Sequence, residues 1–156
     1  NNWPPQYTAE FDLFYGPKGS NLVRIDLPYS MKLAWDPAVT VNSFSCHAKV
    51  HDSMLRVLTA VLNHYGIAEI RRLKLDLFGG CYNQRQIRGG TKWSMHSWGI
   101  AVDFDPARNK LEWGRDKAAF AGQEYDKWWE LWETEGWVSL GRQRNFDWMH
   151  VQAAKL

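Results

Sequence analysis

The stretch Ser94-Met-His-Ser-Trp-Gly-Ile-Ala-Val-Asp-Phe-Asp105 constrains the fold more than any other part of the chain. From Trp98 onward, bulky apolar residues alternate with small or acidic ones, the period of a β-strand with two unlike faces. Trp98, Ile100, Val102 and Phe104 form a face that must be buried. Gly99, Ala101, Asp103 and Asp105 form the other, which pairs carboxylates with residues that lack bulk. Such a face either borders solvent or lets a metal or ligand come close to the backbone. His96 stands just before this strand, where a turn aims it at Asp103.

The rest of the chain supplies partners for that strand. Its 156 residues suit one domain, residues 1–156, with residues 1–15 as an irregular N-terminal arm. A turn over 15–20 leads into a short strand at 22–27 that Pro28 stops. Val50, Met54, Leu58, Val61 and Tyr65 recur at steps of three and four, which predicts a helix over 46–65 ended by Gly66. Asn42, Ser43 and Ser45 are its candidate N-caps. Leu73, Leu75 and Leu77 alternate with Lys74 and Asp76, which predicts a half-buried strand ended by Gly79-Gly80. Residues 81–94 read as a long loop. A second helix is expected over 116–133, burying Phe120, Trp128, Leu131 and Trp132, and residues 148–152 form a last strand. Strands and helices do not alternate regularly, so the fold class is α+β, a mainly antiparallel sheet with packed helices.

Composition removes several functions. The net charge is +2 and no dense basic run exists. The best candidate, 85–92, is interrupted by Gly89-Gly90, which argues against nucleic acid as a partner. No run of eighteen apolar residues is present, so no membrane insertion is expected. The first residues lack the charged start and apolar stretch of a signal peptide. Cys46 and Cys81 form either one disulfide or two free thiols. The ten tryptophans serve either an aromatic core or a surface that stacks on flat ligands.

Five histidines are available for chemistry. His47 and His51 have the four-residue spacing of a helical metal pair, but Ala48 stands where a metallopeptidase helix of that type carries its glutamate. They read as a polar helix face, and His64 as a surface residue. The tail Asn145-Phe-Asp-Trp-Met-His-Val151 is more informative. His150 completes a two-histidine, one-carboxylate set with His96 and Asp103, and three protein ligands leave a fourth position open, as in catalytic zinc sites. Zinc lowers the pKa of a coordinated water toward roughly 7, and Asp147 is placed to take its proton. Residues three apart on a regular strand face opposite ways. Asp147 must therefore lie in a loop or bulge around 144–148, ahead of the strand that carries His150.

The pattern Ser-x-His-x-x-Gly-x-Ala-x-Asp from Ser94 to Asp103, followed by Asp147-x-x-His150, resembles the zinc peptidases that cleave bacterial cell-wall peptides. This family includes the VanY-type D-alanyl-D-alanine carboxypeptidases and the L-alanyl-D-glutamate endopeptidases of phage endolysins. Gly80-Cys-Tyr-Asn-Gln-Arg85, with Ile87-Arg-Gly89, resembles the endolysin branch. The resemblance spans residues 46–152 and implies the D-Ala-D-Ala carboxypeptidase/Hedgehog-like zinc peptidase fold. It implies Zn2+ held by His96, Asp103 and His150, with Asp147 as general base where many members have Glu. An upstream arginine, Arg85 or its rival Arg88, would hold the developing oxyanion. Ser94 is expected to orient the loop or touch substrate, while Tyr82 and Trp148 either wall the cleft or support the metal loop. The implied partner is a peptidoglycan peptide, cut at the bacterial cell wall by a monomer. An L-alanyl-D-glutamate endopeptidase is expected, with a D-alanyl-D-alanine carboxypeptidase as the second reading. A non-catalytic zinc-bound wall-binding module, with no need of Asp147 or Arg85, is the third.

Overall fold

A computed structural model describes residues 1–156. Helix α1 (Ala9–Tyr15) precedes a long hairpin of β1 (Leu22–Leu33) and β2 (Asp36–His47), and α2 (Ala48–Arg72) follows directly. Strands β3 (Leu77–Gly80) and β4 (Ala101–Phe104) flank a loop and a 3-10 turn at Met95–Trp98. Helix α3 (Asp126–Thr134), β5 (Val138–Ser139), α4 (Leu140–Arg144) and β6 (His150–Gln152) complete the chain. The six strands make one sheet in the order β2-β1-β3-β4-β6-β5. Only the β1–β3 pair is parallel, joined through α2. The α+β expectation holds.

Apolar packing explains this arrangement. Val50, Met54, Val57, Leu58 and Val61 are buried on α2, which packs on β1 and α3. Beside them lies an aromatic centre. Phe104 of β4 meets Trp128 edge-on, Trp128 meets Trp132, and Trp132 meets Trp137 at 4.9 Å between ring centres. Each such pair adds about 0.5–1.5 kcal/mol beyond the area it buries. Seven of the ten tryptophans are buried (Trp3, Trp98, Trp128, Trp129, Trp132, Trp137 and Trp148). The aromatic load is mainly core.

Several boundaries differ from the sequence reading. Residues 9–15, expected within an irregular arm, form α1, N-capped by Thr8, whose hydroxyl accepts from the Phe11 amide. Pro28 does not end β1. Asp26 pairs with Ser43 and Met31 with Val41, so residues 27–30 face Asn42 alone, and a missing amide costs nothing inside this bulge. β2 occupies 36–47, so Asn42, Ser43 and Ser45 are strand residues and the N-cap of α2 is His47. Gly66, at φ 76°, kinks α2 without ending it. The expected strand at 73–77 is mostly a turn, with Lys74 left-handed at φ 60° and the Leu75 amide bonded to the Ile70 carbonyl. α3 starts ten residues later than expected from 116, at Asp126. The Phe120 amide is already spent on Asn109 Oδ1, and short 3-10 turns occupy 119–125.

Candidate metal centre

The middle of the sheet brings together the residues that the sequence separates. Asp103 of β4 and His150 of β6 are direct antiparallel partners. His96 enters from the 3-10 turn, which Ser94 caps by accepting the His96 amide at 3.2 Å. Gly99 closes that turn at φ 72°, and a Cβ there would meet Leu22 and the His47 amide at 3.0 Å or less. Only glycine meets both demands. Trp98 consequently sits in the turn and not on the strand. Its indole donates to the Gly16 carbonyl and packs edge-on against Phe11. Asp105 also leaves the expected face: its backbone is left-handed and its carboxylate binds Arg108 at 2.6 Å.

The donor atoms of His96, Asp103 and His150 all lie within 4.8 Å of one another. His96 Nδ1 is 2.8 Å from the Cys81 carbonyl, which can only accept, so that nitrogen carries the proton. Its Nε2 is buried with no hydrogen-bond partner, 3.2 Å from Asp103 Oδ2. On His150, Nδ1 lies 3.2 Å from Asp103 Oδ1 and Nε2 lies 2.9 Å from Gln152 Oε1. An orphaned imidazole nitrogen, a second imidazole and a buried carboxylate converging on one point fit a metal ion of the zinc type. Each histidine also has the outer hydrogen bond that such ligands use to fix ring and tautomer.

Electrostatics agrees. Burial works against charge on Asp103, yet the His96 and His150 imidazoles hold its carboxyl well below the usual carboxylate range. Burial likewise opposes charge on His150, but its hydrogen bond to Asp103 raises its pKa. A positive charge is therefore favoured at the point where the three side chains meet, which is what a bound cation supplies.

Asp147 lies in the loop before β6, as the strand geometry demanded, with φ 53°. Its amide donates to the Leu111 carbonyl, its carbonyl accepts from the His150 amide, and its Oδ2 is 4.0 Å from His150 Nδ1. Burial raises its pKa. Trp148 is buried beneath this loop, its indole bonded to Asn145 Oδ1, and so supports the loop instead of walling the cleft. Arg85 and Arg88 both line a cleft of about 860 Å³ that contains His96, Asp103, Asp147 and His150. They are held differently. Ser97 Oγ accepts the Arg85 amide and donates to the Arg85 carbonyl, which also takes the Ser94 amide. Arg88 sits in the exposed 87–90 turn.

The remaining candidates lie elsewhere. His47 caps α2 and is buried, His51 pairs with its neighbour Asp52, and His64 is exposed. Tyr82 is partly exposed and bonds Gln84. Cys46 and Cys81 are separate buried thiols. Among the tryptophans without an assigned role, Trp3 is core, Trp35 is exposed at the hairpin turn, and Trp113 lines the cleft. The sequence reading missed Gln152 and Ser97. Gln152 shares a strand face with His150 two residues earlier, a signal that was available; the clasp of Ser97 on Arg85 had none.

Residues 88–153 match the D-alanyl-D-alanine carboxypeptidase family. No curated protein and no solved structure matches the chain.

Proposed function

From the premise that the chain carries a metallopeptidase domain of the D-alanyl-D-alanine carboxypeptidase family, we propose that it is a zinc-dependent endopeptidase of peptidoglycan stem peptides, acting between L-alanine and D-glutamate. One observation carries the hydrolytic part of this reading: the buried, partnerless Nε2 of His96 beside Asp103, His150 and Asp147 in one cleft. His96 through Nε2, Asp103 through a carboxylate oxygen and His150 through Nδ1 would hold the ion. When bound, zinc polarises the scissile carbonyl and acidifies the attacking water.

The side chains supply the remaining chemistry. Asp147 accepts the proton as the water oxygen adds to the carbonyl carbon, and later returns it to the amine nitrogen as the C–N bond breaks. Burial keeps this carboxyl a stronger base than an exposed aspartate. Arg85, fixed at both backbone groups by Ser97, faces the charge that develops on the carbonyl oxygen. The rim suits an acidic peptide. Arg85, Arg88, Lys110 and Arg144 line the cleft, and none of them is in an ion pair. The resemblance of residues 80–89 to the endolysin branch supports the internal bond.

Mass spectrometry of purified muropeptides after digestion tests the assignment. Stem peptides released with a new D-glutamate amino terminus are expected. Release of single D-alanine residues would replace this reading with the carboxypeptidase one, which the matched family description favours. Activity that survives thorough chelation would remove zinc from either.

A further inference from the structure

His150 can present only one ring nitrogen to Asp103 and Asp147, and the choice depends on where its proton sits. Nε2 lies 2.9 Å from Gln152 Oε1. An amide can offer either its oxygen or its NH2 at that place, and the two ends have opposite consequences. The oxygen keeps a proton on Nε2, so a cation that displaces the Nδ1 proton shared with Asp103 Oδ1, 3.2 Å away, meets a lone pair on Nδ1. The NH2 would do the reverse.

The surroundings of Gln152 decide between them. Its Nε2 lies 3.0 Å from Gln6 Oε1 and 3.1 Å from the Ala154 carbonyl oxygen. The carbonyl can only accept, so the nitrogen must stand there and the oxygen must face His150. Gln152 is 2% exposed, so water does not compete for these groups. Gln6 belongs to the N-terminal arm, outside residues 88–153. That arm is itself tied down, because the Gln6 amide donates to the Lys155 carbonyl and the Tyr7 hydroxyl to the Trp93 carbonyl at 2.7 Å. Tyr7 holds a left-handed backbone, φ 59°, to make this crossing.

We infer that Gln152, oriented by Gln6 and the Ala154 carbonyl, is a positioning residue that fixes the Nε2–H tautomer of His150 and so delivers Nδ1 to the metal. The N-terminal arm is thereby part of the metal centre. This rests on the metal-site reading above but not on which peptide bond is cut.

Nitrogen-15 NMR of the imidazoles in the zinc-loaded full chain tests it directly. The proton of His150 is expected on Nε2, with Nδ1 showing the shift of a metal-bound nitrogen. A proton on Nδ1 with Nε2 on the metal would overturn the inference without any variant. Gln152→Met removes the acceptor at similar volume, and chelator competition should show zinc binding about 10–100-fold weaker. Gln6→Leu should weaken it less, because the Ala154 carbonyl still holds the amide. Parent and Gln152→Met proteins that bind zinc equally well would sink the relay alone. A parent that binds no zinc would instead remove the metal reading.

Discussion

Two histidine pairs in this protein have the spacing or setting of metal ligands, and the account of their ring nitrogens separates them. His47 spends both: Nε2 donates to the Tyr15 carbonyl at 2.8 Å, and Nδ1 accepts the Lys49 amide at 3.0 Å. It is a helix cap, and its ring also meets Tyr15 edge-on. His51 turns to Asp52 on the surface. His96 and His150 each spend one nitrogen on an outer partner, Cys81 or Gln152, and turn the other toward Asp103. Four-residue spacing on a helix does not mark the ligand pair. Unspent lone pairs around a buried carboxylate do.

The largest test of that contrast is zinc content. His96→Ala or His150→Ala should fall from about one ion per chain to background by elemental analysis, because two ligands do not hold a three-ligand site. His51→Ala should retain a full complement; loss of zinc there would break the comparison.

Next in size is Asp147→Asn, which should keep its zinc while hydrolysis falls about 10²–10⁴-fold, the range for losing a positioned general base. The pH profile carries the same information. The base must be ionised, and burial raises the Asp147 pKa. The acid limb of kcat/KM should therefore lie above the usual aspartate value of about 3.9, with rate falling as pH drops through it. A profile flat down to that value would deny Asp147 the role.

The smallest effect belongs to the other pair. His47→Ala should cost about 0.5–2 kcal/mol of stability through the lost cap, read by denaturant unfolding, with zinc content unchanged. His47→Asn, which can still cap, should recover much of it.

The strand pair at the centre was legible because its chemistry is written in local alternation. Ile100, Val102 and Phe104 are fully buried, while Asp103 faces the cleft. The demand that Asp147 lie off the strand followed from pleat geometry alone. β2 was illegible for the opposite reason: its first half, 36–40, is exposed throughout and carries no burial alternation. Trp98 misled because its burial comes from α1, far away in sequence, and not from the strand pattern. The Cys81 carbonyl beside His96 and the Gln6 amide behind Gln152 were hidden more deeply. Cys81 contributes a backbone carbonyl, which no side-chain pattern records, and Gln6 reaches the site across nearly the whole chain.

The left-handed backbone at Asp147 has a practical consequence. Aspartate tolerates that conformation better than most residues, and glycine adopts it freely. The position to which the general base is assigned is thus one where the side chain can be deleted without straining the main chain. Asp147→Gly should accordingly remove the carboxylate while leaving the loop backbone and the three candidate metal ligands in place.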